Sequence, residues 1–181
     1  MKTPRSALVA IPPEEIWEPI QRIRHRFDRE VHRWMPHVTL LFPFRPRSEF
    51  ERILPAIASA CSEHSAFELA LQEFRWFKHG RAGFTMWLAP DPPTPLRALQ
   101  TSLDHALPDC DDVSRFPRGF TPHLSVGQAR GRHELEERIS FARTGWKPLH
   151  FTLREVALVA RDKDGPFAVV HRVPLGGVGT H

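Results

Sequence analysis

The sequence predicts an α+β fold, a duplicated unit of strands and helices around one cleft, and three observations lead there. Segments with apolar residues at helical spacing alternate with short runs of β type. The order strand, helix, short histidine-bearing strand, helix, hairpin runs through the chain twice. Pro36 to Leu40 and Pro122 to Val126, the two histidine-bearing strands, carry the same five-residue pattern. A duplicated α+β unit can place two such strands as symmetry mates facing one cleft.

Ser6 to Ile11 is a short apolar strand, after which Pro12 and Pro13 open a helix with Ile16, Ile20, Ile23 and Phe27 on one face. His37 to Phe42 alternates as a strand. Ser48 and Glu51 form a capping-box signal for a helix to about Cys61, which Pro55 should kink or shorten. Phe67 to Phe77 and Gly83 to Leu88 read as a hairpin around Lys78, His79 and Gly80, with the second arm also opening the second half. Thr94 and Pro95 then start a helix with Leu96, Leu99, Leu103 and Leu107 on one face. His123 to Val126 is a strand, Arg132 to Phe141 a helix, and Leu149 to Ala160 with Phe167 to Val173 a hairpin around Asp164 and Gly165. From histidine to the following hairpin the spacing is 30 residues in the first half and 28 in the second.

A chain of 181 residues with 41 % apolar content can bury a core of its own, in one domain or two tightly joined lobes. The only cysteines, Cys61 and Cys110, match no metal or redox spacing and read as reduced thiols. No stretch approaches the roughly 18 continuous apolar residues of a membrane span, and no signal-type cleavage site follows Met1, so the expectation is a cytoplasmic protein without a membrane partner. The net charge of +4 is spread along the chain; it permits an anionic ligand without demanding a long nucleic-acid footprint. Of the 25 basic residues 21 are arginines, whose fork matches phosphate oxygens, although a coding bias leaves the same mark.

The chemistry lies in the matched strands. Both read Pro, His, apolar, hydroxyl, apolar, and this longer pattern is expected by chance only roughly 0.02 times in such a chain. Side chains alternate across a strand, so His37 and Thr39 face one way while Val38 and Leu40 face the core, and His123 and Ser125 repeat this against Leu124 and Val126. Gly127, next on the polar face, offers nothing to block a ligand. Imidazoles titrate near pH 6.5, so one of the pair can be neutral and the other protonated near neutrality. One histidine then takes a proton from water or a sugar hydroxyl and the other protonates the departing oxygen, while Thr39 and Ser125 hydrogen-bond the non-bridging phosphate oxygens. The scheme needs no metal and no cofactor.

Pro36-His37-Val38-Thr39-Leu40-Leu41-Phe42-Pro43-Phe44 and Phe120-Thr121-Pro122-His123-Leu124-Ser125-Val126-Gly127 resemble the two signature motifs of the two-histidine phosphoesterase superfamily, in its 2′-5′ RNA ligase-like branch. The likeness runs from Ser6 to about Pro174, and Ser125 stands where threonine is commoner. It implies a bilobal α+β fold, with two pseudo-symmetric antiparallel sheets, flanking helices and a central cleft. Residues 1–175 would then be one two-lobed phosphoesterase domain, while the glycine-rich 176–181 reads from its composition as a flexible tail. It also implies an enzyme acting on 2′,3′-cyclic phosphates, 2′-5′ linkages or related ends of nucleotides or RNA. The rival expectations are a nucleotide- or RNA-binding module that keeps the cleft without turnover, and 2′-5′ RNA joining without ATP.

Around the motifs, Trp34, Phe42, Phe44, Phe116 and Phe120 are candidates to stack on a base, with core packing as the alternative. Arg45, Arg118 and Arg130 are candidates to grip phosphate, with a solvated loop as the alternative. Two look-alikes are set aside. His133-Glu134-Leu135-Glu136-Glu137 starts like a zinc-protease helix but has Glu137 where the second histidine belongs. Lys163-Asp164-Gly165 lacks the residue that separates lysine from aspartate in ATP-dependent ligases and reads as a hairpin turn.

Overall fold

A continuous apolar run makes a strand buried on both faces, and this fixes the first element. All five residues of β1 (Ser6–Ala10) are buried in a computed structural model, whose described residues are 1–176. The helical face expected after it forms a 3₁₀ turn (Glu14–Ile16) leading into α1 (Trp17–Phe27), which buries Ile20 and Ile23. Then follow β2 (Val38–Leu41), α2 (Phe50–Ser62), β3 (Phe67–His79), β4 (Gly83–Asp91), α3 (Thr94–Ala106) and β5 (Leu124–Arg130). The chain continues through α4 (Arg132–Arg143), β6 (Leu149–Leu153), β7 (Glu155–Ala160) and β8 (Ala168–Pro174).

The strands form two antiparallel sheets of four, in the orders β2-β1-β7-β8 and β5-β4-β3-β6. This is the α+β arrangement with two pseudo-symmetric sheets that the sequence implied. In each sheet a histidine-bearing strand lies at the edge, beside the strand that opens its half. The two pairings also share an irregularity. Val9 faces Thr39 and Leu8 faces Leu41, leaving Leu40 unopposed; Trp87 faces Ser125 and Met86 faces Gly127, leaving Val126 unopposed. In each half the helix that leads from the opening strand to the histidine-bearing strand crosses over: α1 packs on β5, and α3 packs on β2. Leu8, Leu40 and Leu158 of one sheet share a single apolar core with Met86, Leu88 and Val126 of the other.

Three local expectations change. The run from Leu149 to Ala160 is two strands, because Leu149–Leu153 pairs with β3 in one sheet while Glu155–Ala160 pairs with β1 in the other. Exposed Arg154 marks the crossing, and its carbonyl accepts the Leu175 amide at 2.8 Å. The capping box does not form, since Ser48 falls inside a 3₁₀ turn (Arg47–Glu49) and no side chain caps α2. Nor does Pro55 end that helix, which runs on to Ser62 while burying Phe50, Ile53, Ile57 and Cys61; packing of this apolar face outweighs the lost hydrogen bond. Of the expected tail, Gly176 donates its amide to the Cys61 carbonyl at 3.2 Å, and residues 177–181 lie outside the described residues. Among the described residues no helix is long and apolar enough to cross a membrane.

The unopposed Val126 also reverses Gly127. Simple alternation would turn this glycine to the ligand side, but it is buried, and a Cβ built there lies 2.7 Å from the Phe27 Cβ and 3.1 Å from the Phe27 carbonyl. Glycine is needed for the close approach of α1 to β5, not to clear a pocket. Gly127→Ala is therefore expected to destabilise the fold by about 1–3 kcal/mol in denaturant unfolding; unchanged stability would contradict this packing.

Candidate active site

The histidines sit one residue ahead of their strands, His37 before β2 and His123 before β5, and these two edge strands approach each other. Alternation holds at this end. His37, Thr39, His123 and Ser125 are partly exposed, whereas Val38, Leu40, Leu124 and Val126 are buried. Each imidazole is fastened identically. His37 Nδ1 lies 2.7 Å from the Met35 carbonyl, and His123 Nδ1 lies 2.8 Å from the Thr121 carbonyl. A carbonyl can only accept, so Nδ1 carries the proton in both rings, and Nε2 of each neutral ring is left with its lone pair.

Aromatic rings pack around both. Trp34 stacks on His37 at 4.5 Å and on Phe167 at 3.5 Å, with the edge of Phe42 at 5.9 Å. On the other side Phe77 meets His123 edge-on at 4.9 Å, and Trp87, stacked on Phe77 at 4.8 Å, is 5.8 Å from the same imidazole. Beside His123 lies a hollow of about 130 Å³ whose lining includes Trp87, Thr121 and Pro122, the basic Arg75 and Arg97, and the acidic Glu73 and Asp91.

Beneath His37 runs a buried ion pair. Arg24 Nε donates to Asp28 at 2.9 Å, and the other guanidinium nitrogens donate to the Gln21 side chain at 3.0 Å and the Trp34 carbonyl at 2.9 Å. The second Asp28 oxygen accepts the Glu30 amide and the Gln128 side-chain amide, each at 3.0 Å, so the network crosses from α1 to β5. At the matching place in α3 stand neutral Gln100, which donates to Ser114 at 2.8 Å, and Asp104, which accepts from Ser114 at 3.0 Å.

Burial sets the charge of the imidazoles. Desolvation pushes the His37 pKa down to about 4, against the supporting bond to Met35; the positive charge of Arg24, and that of His123 when it is protonated, lower it further, and Asp28 raises it. Burial lowers the pKa of His123 as well, opposed by its bond to Thr121. Both shifts favour the neutral imidazole, against the expectation of one charged and one neutral ring near neutrality.

The flanking candidates scatter. Phe44 is fully buried and packs on Phe50 at 6.0 Å, so it cannot receive a base. Trp34 has its π surface covered by His37 and Phe167, and half-buried Phe42 packs against it. Phe120 packs on the main core, while Phe116 and Arg118 are exposed. Arg45 is held by Asp109, and by Glu49 at 3.7 Å, which ties it into the fold. Arg130 ends β5 opposite Gly83, seven residues beyond His123 and so roughly 20 Å along the strand. Sequence reasoning missed Phe77, Trp87 and Phe167, which come from strands and loops remote in the chain. It also passed over Arg24, although an arginine beside Ile20 and Ile23 on an apolar face is a visible signal. The exposed His133 pairs with Glu137 at 3.4 Å on α4, and Gly165 closes a turn on Asp162 at 3.1 Å. Among the described residues no three His, Cys, Asp or Glu side chains converge as a metal-binding group.

The sequence profile of the 2′-5′ RNA ligase superfamily matches residues 12–165. Among solved structures, TT0787 of Thermus thermophilus superposes with a TM-score of 0.63 at 19 % identity, covering 96 % of this chain and 98 % of that one. Escherichia coli LigT in its apo form gives 0.62 at 21 % identity, over 97 % and 99 %. LigT complexed with 3′-AMP gives 0.61 at 21 %, over 96 % and 99 %. These likenesses establish a common fold. No curated protein sequence matches significantly.

The depressed histidine makes stability depend on pH. Between about pH 4 and 6.5 the unfolded chain holds a proton that folded His37 does not, so this contribution is complete above that window and is lost as pH falls through it. Denaturant unfolding is expected to show falling stability from about pH 7 to 4.5, and His37→Gln to flatten that fall. The same slope in the variant would rule His37 out as its source.

Proposed function

We propose that this chain, which belongs to the 2′-5′ RNA ligase superfamily, is a metal-independent phosphodiesterase that opens 2′,3′-cyclic phosphates or cuts 2′-5′ linkages of nucleotides or RNA ends. The observation that carries this reading is the matched fastening of His37 and His123 through Nδ1, which leaves both Nε2 atoms available for proton transfer. The complex of LigT with 3′-AMP supports a nucleotide as the ligand class. The hollow beside His123 can take part of a nucleoside. The shared core of the two sheets supports reading residues 1–175 as one two-lobed domain, and the composition supports a cytoplasmic setting.

In the hydrolysis of a cyclic phosphate, one neutral imidazole accepts a proton from water at Nε2 as the water oxygen bonds to phosphorus. The bond from phosphorus to the 2′ or 3′ oxygen breaks, and that oxygen takes a proton from the other histidine. Thr39 and Ser125 donate hydrogen bonds to the non-bridging oxygens as charge builds there. Burial supplies the base ready-made but not the acid. The bound phosphate has to generate the acid, because its negative charge raises the pKa of the imidazole it touches. Solvent exchange afterwards restores both rings.

His37→Gln or His123→Gln is expected to lower kcat/KM on 2′,3′-cyclic nucleotides or 2′-5′ oligonucleotides by at least about a hundredfold. Thr39→Val and Ser125→Ala should each cost about ten- to a hundredfold, the scale of a hydrogen bond to a charged group. Chelator should leave the rate unchanged. The pH profile of kcat/KM should be a bell centred on the acid side of pH 6.5, with that of kcat displaced upward, because free-enzyme pKa values govern the first. Full activity in either histidine variant would sink the mechanism. Tight 3′-AMP binding without turnover on any of these substrates would make the chain a binding module instead. Joined RNA ends formed without ATP would reassign it to ligation.

A further inference from the structure

Behind the cleft, on the face of the second sheet that carries α4, lies a groove that the proposed chemistry does not use. Its centre is Trp76 of β3, which is 41 % exposed although most large apolar side chains are buried. Trp76 stands opposite buried Met86 of β4 and so shares the helix-covered face, yet it stays partly open beside α4. Two adjoining hollows of about 300 and 560 Å³ share Trp76 and Arg132 in their walls. Lys78 and Arg81 line the first, and Arg143 lines the second. The Arg132 guanidinium lies 5.8 Å from the centre of the Trp76 ring.

The charge here is concentrated. Glu136 is the acidic side chain in these walls; it pairs with Arg132 at 3.4 Å, whereas Lys78, Arg81 and Arg143 form no ion pair among the described residues. A local excess of three positive charges thus stands in one groove of a chain whose whole excess is four. Among the described residues the edge of β3 beside it is also open, because β6 pairs only with Phe67–Leu71.

We infer that this groove binds a stretch of single-stranded RNA, with a base on Trp76 and phosphates on Lys78, Arg81, Arg132 and Arg143. A π face among free cations is the arrangement that holds single strands without reading their sequence. The apolar surface forms the wall of a groove and not a projecting tip, which suits a threaded chain better than a lipid surface. Trp76 and Phe77 are neighbours that point to opposite faces of the sheet, and Phe77 touches His123. A strand leaving the cleft can therefore pass around the open edge of β3 onto Trp76. That last step, which makes an RNA end the preferred substrate over a mononucleotide, rests on the phosphodiesterase reading; the RNA contact itself does not.

The test is fluorescence anisotropy with a labelled single-stranded RNA of about 12 nucleotides, within the span such sites cover. It compares wild type, Trp76→Ala and the double variant Arg81→Glu/Arg143→Glu, with hydrolysis of a 2′,3′-cyclic mononucleotide measured alongside. Both variants should bind RNA at least about tenfold more weakly, the double variant should show a shallower salt dependence, and both should hydrolyse the mononucleotide at the wild-type rate. Unchanged RNA affinity in both variants overturns the inference. So does a loss of sedimentation with phosphatidylserine vesicles while RNA affinity stays intact. If wild type binds RNA through this groove yet hydrolyses nothing, the binding site stands and the catalytic reading falls.

Discussion

The buried pair of Arg24 and Asp28 joins the two halves of the site. Asp28 reaches Gln128 on the strand that carries His123, while Arg24 holds the Trp34 carbonyl in the segment that leads to His37. Its hydrogen bonds are met, so the charges are compensated where they lie. Removing one partner would leave the other charge buried and unpaired, which costs about 3–5 kcal/mol in such settings. The cost would fall on the geometry between the histidines as much as on the fold. Gly127 serves the same junction, since only a residue without a Cβ lets α1 come close enough to β5 for Asp28 to meet Gln128.

The pseudo-symmetry of the backbone is not matched by its electrostatics. Both histidines are fastened to the carbonyl two residues earlier, and both hydroxyls sit beside a strand irregularity of the same kind. Behind His37, however, lies a guanidinium, and at the matching place in the second half lies a neutral amide. Burial disfavours the charged imidazole in both, and for His37 alone the Arg24 charge adds to that while Asp28 opposes it. Both shifts favour two neutral rings, and in the proposed reaction the negative charge of the phosphate raises the pKa of one of them.

Much of this was legible in the sequence. Period-2 and period-3.6 patterns place the strands and helices because each buries one face, and the five-residue motif identifies the cleft because imidazole and hydroxyl two residues apart share a side. Legibility ended where space and sequence part. Phe44 and Arg45 adjoin the first motif in sequence, yet one turns into the core and the other into an ion pair with Asp109. Phe77 and Trp87 meet His123 from distant segments, and Phe167 reaches His37 through Trp34, on which both stack. The crossing at Arg154 left a trace: alternation in Leu149–Leu153 gives way, after two polar residues, to the unbroken apolar run of a strand covered on both faces.

Nitrogen-15 NMR of the histidine rings tests the central claim most directly, because it reads which nitrogen holds the proton. In the free protein at neutral pH, His37 and His123 should both appear as neutral rings protonated at Nδ1, titrating below pH 6.5. On saturation with 3′-AMP, at least one of them should titrate at a higher pH. A proton on Nε2 in either free ring, or titrations that 3′-AMP leaves unmoved, would contradict the account.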